Sequence, residues 1–215
     1  MTANVRGYLE IVAHYEACLA RHGDNHRGVD WPRADDAEIR YQIMLGLIPP
    51  QPRAQVRLLD FGCGAGHLLE SIGRRGLTGL EYHGLDLSSR FVDLCRRKFP
   101  DVSFIQADVL DPATALPEFD YVVMNGVFTE KRSLTYDQMW SYVQNLLCAV
   151  WPSARRGLAF NVMSSHVDSE RAELFHLPCD ALAAFLKAKL SRHWLIRQDY
   201  GLYEYTAYVY REPNR

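Results

Sequence analysis

Three glycines at alternate positions, Gly62, Gly64 and Gly66, follow an acid, Asp60, which ends the apolar run Val56, Leu58, Leu59. The stretch reads as a buried strand, a glycine turn and the start of a helix. Glycine there lets a bound nucleoside approach the main chain closely and sets a helix N-terminus beside it. A second acid, Asp86, closes the next strand-like run, where its carboxylate can accept hydrogen bonds from both ribose hydroxyls. A third, Asp108, follows another such run. Taken together, the three point to an adenosine-containing cofactor. Taken singly, each has a plainer reading. The glycine turn is also an ordinary strand–helix connection. Asp86 could cap the helix after it, although Ser88 does that equally well. Asp108 could cap a turn before Pro112. A dinucleotide fingerprint has the spacing G-x-G-x-x-G; here His67 stands where its last glycine would fall, which disfavours a dehydrogenase.

The elements that must position these residues follow from periodicity. Tyr8, Leu9, Val12, Tyr15 and Leu19 recur at helical spacing, which predicts an amphipathic helix over 5–21. Residues 22–32 are polar and glycine-punctuated, hence loop. A second helix carries Ile39, Ile43, Met44 and Leu47, with Asp35 or Asp36 as its cap, and Pro49, Pro50 and Pro52 end it. Strands are predicted at 56–60, 81–86, 102–106, 119–124 and 158–163. Helices are predicted at 66–75, 89–98, 135–150 and 179–190. The chain closes with strands at 194–199 and 203–210 around a Tyr-Gly turn. Strand–helix alternation means a parallel doubly wound α/β sheet, because parallel strands need crossover connections. The division is a helical cap segment over 1–52 and the main domain over 53–215.

Composition bounds the function. The 215 residues are 48% hydrophobic, enough for one domain with a full core. A net charge of −2 gives no basic field for nucleic acid or an anionic membrane. The five cysteines are scattered, with no C-x-x-C pair; this argues against a disulfide framework or a zinc site and fits a reducing, cytoplasmic setting. No apolar run approaches the roughly 18 residues of a membrane span, and the first ten residues lack a signal-peptide core. No metal-ligand cluster stands out.

Over roughly residues 35–165 the chain resembles the class I S-adenosylmethionine-dependent methyltransferases. Asp60-Phe61-Gly62-Cys63-Gly64-Ala65-Gly66 is similar to the family's first motif. Gly84-Leu85-Asp86-Leu87-Ser88 is similar to the second, whose acid binds the ribose. Gln106-Ala107-Asp108 matches the segment whose Asp contacts the adenine amino group. Phe119 to Gly126 matches the fourth-strand motif. The resemblance implies a Rossmann-like seven-stranded sheet of order 3-2-1-4-5-7-6 with strand 7 antiparallel. S-adenosylmethionine is then the cofactor and S-adenosylhomocysteine the product. The implied binding set is Asp60, Gly62, Cys63, Gly64, Gly66, Asp86, Leu87, Asp108, Val109 and Asn125. Arg40 joins it as a bidentate partner for the cofactor's carboxylate, the plainer reading being a surface pair with Asp36. Trp31 joins it as a cover, the plainer reading being a core plug.

Methyl transfer from a sulfonium is an in-line displacement that needs alignment, no metal and, for a hydroxyl acceptor, a base. The loop after strand four, Met124 to Lys131, has no Pro-Pro element, which argues against adenine- and glutamine-directed classes. A small polar acceptor remains, oxygen ahead of nitrogen. His166 and His22 are the candidate bases, since histidine titrates near neutral pH; the plainer and commoner reading of each is a loop histidine. Asp168 could orient His166 or equally be solvated. Further candidate acceptor-pocket residues are Asp24, His26, Phe128, Ser164, Ser165, Tyr203 and Tyr205. The basic runs Arg74-Arg75 and Arg96-Arg97-Lys98 read as solvated helix ends. Two other classes stay open: a non-catalytic module that keeps the cofactor fold, and an RNA or protein methyltransferase. Oligomeric state is open, a homodimer through the aromatic hairpin included.

Overall fold

A computed structural model describes residues 7–50 and 54–214. The N-terminal segment forms α1 (Leu9–His22) and α2 (Ala34–Leu45), joined through a 3-10 turn at His26–Val29. Then come β1 (Val56–Phe61), α3 (His67–Arg74), β2 (Leu80–Asp86), α4 (Ser89–Lys98), β3 (Ser103–Gln106) and β4 (Phe119–Met124). The second half holds α5 (Tyr136–Val150), β5 (Ala154–Ser164), a two-residue β6 (His176–Leu177), α6 (Cys179–Lys189), β7 (His193–Arg197) and β8 (Glu204–Tyr210).

The strands form one sheet of order β3-β2-β1-β4-β5-β8-β7, with β6 paired to the end of β5. Neighbours from β3 to β5 are parallel, and β8 runs antiparallel to both β5 and β7. Setting β6 aside, this is the predicted seven-stranded order with the last strand reversed. No helix among the described residues is long and apolar enough to cross a membrane.

Both sheet faces are covered, which explains why the strands read as apolar runs and not as alternation. Successive residues point to opposite faces. Leu58 enters one core layer with Met44 of α2, Ile72 of α3 and Val92 of α4. Leu59 enters the other with Val143 of α5 and Leu186 of α6. Each fully buried leucine contributes about 1.5–3 kcal/mol by leaving water, so the central strands anchor both layers. Thr135 and Gln138 start α5 with a reciprocal capping box, worth about 1 kcal/mol.

Some expectations need correction. The residue before α2 is Arg33, in extended conformation and without a side-chain cap; Asp35 and Asp36 lie inside the first turn. An acid there favours the helix through its dipole and does not close an open amide. β5 starts four residues before the predicted 158. Its early part pairs with β4 across a register shift between Phe119 and Tyr121, and Arg156 meets Asp120 at 3.3 Å. Two exposed arginines masked a strand that is buried only on either side of them. Lys98 is not a solvated helix end: it pairs with Asp24 at 2.8 Å and Glu70 at 2.7 Å. Residues 5 and 6 of the first predicted helix, Pro52 and the boundary between 52 and 53 lie outside the described residues.

Candidate active site

Strand order reverses between β1 and β4, so a crevice opens beyond the carboxyl ends of the parallel strands. A cleft of about 1090 Å3, counting the part open to solvent, lies there. Its floor is the loop after β1 and the ends of β2, β3 and β4. Its roof is the N-terminal segment: Tyr8 just before α1, Ile11, Val12 and Tyr15 of α1, then Val29 and Trp31. Tyr142 and Leu146 of α5 close one side.

The floor is built by main-chain geometry. The N–H groups of Gly62 and Cys63 both donate to the Leu85 carbonyl, at 2.7 and 2.9 Å, and bind the glycine loop to the end of β2. Gly62 and Gly64 take positive φ, 73° and 52°, a backbone that residues with a Cβ resist. That conformation turns the Gly64 N–H onto Asp86 Oδ2 at 2.9 Å, while Ser88 N–H donates to Asp86 Oδ1 at 2.9 Å. Each carboxylate oxygen thus has one main-chain donor and keeps acceptor capacity towards the cleft that Asp86 lines. Burial raises the proton affinity of Asp86, and the amides of Ser88 and Gly64 oppose it. Asp60 is buried deeper; it accepts the Tyr82 hydroxyl at 2.6 Å, and desolvation pushes its pKa up to about 7.

The roof is tied down by polar contacts. The Tyr8 hydroxyl donates to Asp108 Oδ2 at 2.7 Å, and the Leu110 N–H donates to Asp108 Oδ1 at 3.0 Å. Ser88 Oγ donates to Glu16 at 2.6 Å, and the Tyr15 hydroxyl to the Gly126 carbonyl at 3.2 Å. Tyr8 also stacks on Tyr142, with centroids 5.0 Å apart. On the wall, Asn125 Oδ1 is buried with no hydrogen-bond partner, an acceptor in need of a donor. A buried carboxylate, an orphan acceptor, exposed main chain at two glycines and apolar walls together fit a nucleoside with amino groups.

The structure brings Trp31, Asp60, Gly62, Cys63, Gly64, Asp86, Leu87, Asp108, Val109 and Asn125 to the cleft. Two other expected binding residues do not line it. Gly66 starts α3 with φ 75°, and a Cβ there would stand 2.9 Å from the Phe99 ring, so its glycine serves helix packing. Arg40 lies behind Trp31, its guanidinium 4.1 Å from the ring centre, and pairs with Glu204 of β8. The surface pair with Asp36 does not form, because Arg40 is buried and Asp36 faces Arg33 at 3.7 Å; Arg40 Nη1 is buried without a hydrogen-bond partner.

The candidate bases also stand apart. His22 and His166 are exposed and absent from the cleft wall, as is Asp168. His22 ends α1 and its carbonyl accepts from Asn25; the His166 N–H donates to Ser164 Oγ at 3.0 Å. His22 is thus the last residue of a helix and His166 follows β5 in a loop, both at the surface. Asp24 is held by His67 and Lys98, Phe128 is a core residue against Phe160, Tyr205 is buried on the Leu177 carbonyl, and Tyr203 is exposed. His26, Ser164 and Ser165 are likewise absent from the wall. Unforeseen were the contributions of Tyr8, Ile11, Val12 and Tyr15. Their helical spacing is legible, but not which surface that helix covers. His14, Cys18 and Asp30 offer ligand atoms within 4.8 Å of one another. They are already bonded pairwise, His14 to Asp30 at 2.7 Å and to Cys18 at 3.8 Å, which fastens α1 to the loop after it.

Comparison with known proteins agrees with this geometry. A methyltransferase domain family matches residues 59–149, the span from β1 through α5. The Mycobacterium tuberculosis protein Rv1506c, provisionally named a methyltransferase, is 30% identical over 152 residues, covering 70% of this chain and 90% of that protein. Among solved structures, magnesium protoporphyrin IX methyltransferase from Synechocystis PCC 6803, with bound S-adenosylmethionine, superposes with a TM-score of 0.67 at 12% identity over 99% of this chain and all of that one. Human N-acetylserotonin methyltransferase, also in complex with S-adenosylmethionine, gives 0.61 at 13% identity over 96% of this chain and 58% of that one. The strand order, the glycine loop against Asp86 and the mycobacterial relative together place the chain in the class I S-adenosylmethionine-dependent methyltransferase family.

Proposed function

We propose that the cleft holds S-adenosylmethionine and that the chain passes its methyl group to a small polar acceptor, oxygen ahead of nitrogen. The observation that carries the reading is Asp86. Its carboxylate is fixed from below by the Gly64 and Ser88 amides and looks into a cleft with apolar walls. It is suited to accept from ribose hydroxyls. Asp108 and Asn125 are the acceptors for amino groups, and Leu87, Val109 and the α1 roof supply the faces for a planar base. The cofactor, when bound, supplies an activated methyl and a neutral leaving group. The chain's part is to align the acceptor and exclude water, and α1, which lines the cleft, is suited to cover it. The two structural neighbours are named for small molecules, magnesium protoporphyrin IX and N-acetylserotonin, which supports an acceptor of that size class.

The test is calorimetric titration with S-adenosylhomocysteine. Wild-type protein should bind it, and Asp86→Ala should weaken binding at least tenfold, as expected for losing a charged acceptor of two hydroxyls. Equal affinity in the two proteins rules the reading out. Transfer of a labelled methyl group to an acceptor separates an enzyme from a cofactor-binding module.

A further inference from the structure

Glu204 lies on β8, is 1% exposed and does not line the cleft. It is nevertheless saturated with donors. Arg40 Nε approaches its two oxygens at 3.0 and 2.9 Å, Arg40 Nη2 reaches Oε2 at 2.8 Å, and Asn161 Nδ2 of β5 donates to Oε1 at 2.8 Å. From this carboxylate two chains of contact run to the same wall of the cleft.

Through Arg40 the contact passes to Trp31, over whose ring the guanidinium sits. Through Asn161 it passes to the loop after β4, because Asn161 Oδ1 accepts the Gly126 N–H at 2.7 Å. The two chains meet. A Cβ on Gly126 would stand 2.8 Å from the Trp31 ring, so the indole is in close contact with both the Arg40 guanidinium and the Gly126 main chain. Gly126 takes φ 77°, and its carbonyl receives Tyr15 and Thr129. Its neighbour Asn125 carries the orphan acceptor of the wall.

A buried ion pair is a poor source of net stability, because desolvation offsets the attraction. It does impose geometry, since three donors fix the carboxylate in one orientation. We propose that Glu204 is a positioning residue for the cofactor site, setting Trp31 through Arg40 and the Asn125–Gly126 wall through Asn161. The inference rests on the cleft being the S-adenosylmethionine site.

The test is titration of S-adenosylhomocysteine into three variants, reading affinity and stoichiometry separately. Asn161→Ser cuts the link to Gly126 and leaves the ion pair. Arg40→Met with Glu204→Leu removes both charges, leaves none unpaired in the core and should remain folded. Glu204→Gln keeps size and loses charge. Positioning predicts a dissociation constant raised about tenfold at a stoichiometry of one in Asn161→Ser and in the double variant. A purely structural role predicts a lower active fraction at unchanged affinity, and that result overturns the proposal. Should Glu204→Gln fail to fold, the other two variants decide. Wild-type protein that binds no S-adenosylhomocysteine overturns the reading of the cleft instead, so the two failures are distinguishable.

Discussion

Asp86 accepts the main-chain N–H of Gly64 at 2.9 Å, joining the glycine loop after β1 to the acid that ends β2. The contact exists because Gly64 takes a φ of 52°. It makes the glycine and the acid one device: the backbone that clears space for a ligand also orients the carboxylate that would bind it.

Gly64→Ala follows directly. A Cβ would stand 3.2 Å from Val29 Cγ1 and would sit on a left-handed backbone. The strain is about 1 kcal/mol. Affinity for S-adenosylhomocysteine should fall about tenfold, with a small drop in thermal midpoint. A variant that binds like wild type would separate the loop from the ligand.

Tyr8→Phe removes the hydroxyl that ties α1 to Asp108 and keeps the ring stacked on Tyr142. A hydrogen bond to a charged acceptor contributes about 1.5–3 kcal/mol. Some of that should appear as faster dissociation of the bound ligand, measured by stopped-flow, because the roof opens more readily. An unchanged dissociation rate would mean that α1 does not close the cleft.

Asp60 carries a pH signature. Its pKa is pushed up to about 7 by burial, against about 3.9 for an unfolded chain. Between those values the folded state holds the proton and the unfolded state does not. This group's contribution is therefore fully present below about pH 4 and lost as pH rises through about 7. Asp60→Asn keeps an acceptor for Tyr82 and does not titrate. Urea unfolding at about pH 5 and about pH 8 should show wild type losing more stability than the variant over that interval. Parallel losses would place the Asp60 pKa near its ordinary value.

His22→Ala and His166→Ala should each leave S-adenosylhomocysteine affinity, and methyl transfer once an acceptor is in hand, within about twofold of wild type. Both rings are exposed and away from the cleft. A large loss of transfer in either would mean that its ring reaches the acceptor.

Much of this protein is written locally. The strands are apolar because both sheet faces are covered, so Val56–Phe61 and Phe119–Met124 announce themselves without reference to the rest of the chain. The glycine spacing, with Asp86 and Asp108 at later strand ends, points to the cleft they line because turn geometry and strand ends are short-range properties. The helical period of α1 is equally legible. Only the tertiary structure decided what that helix covers, that Arg40 meets Glu204 across 164 residues, and that Gly66 packs against the Phe99 ring. His22 and His166 show the same limit from the other side, since residue type suggested a base, while the end of α1 and the loop after β5 place both at the surface and off the cleft wall. The physical reason is common to all four cases. A side chain's partner depends on which elements the sheet order brings together, and that order is a global property that no short window of sequence contains.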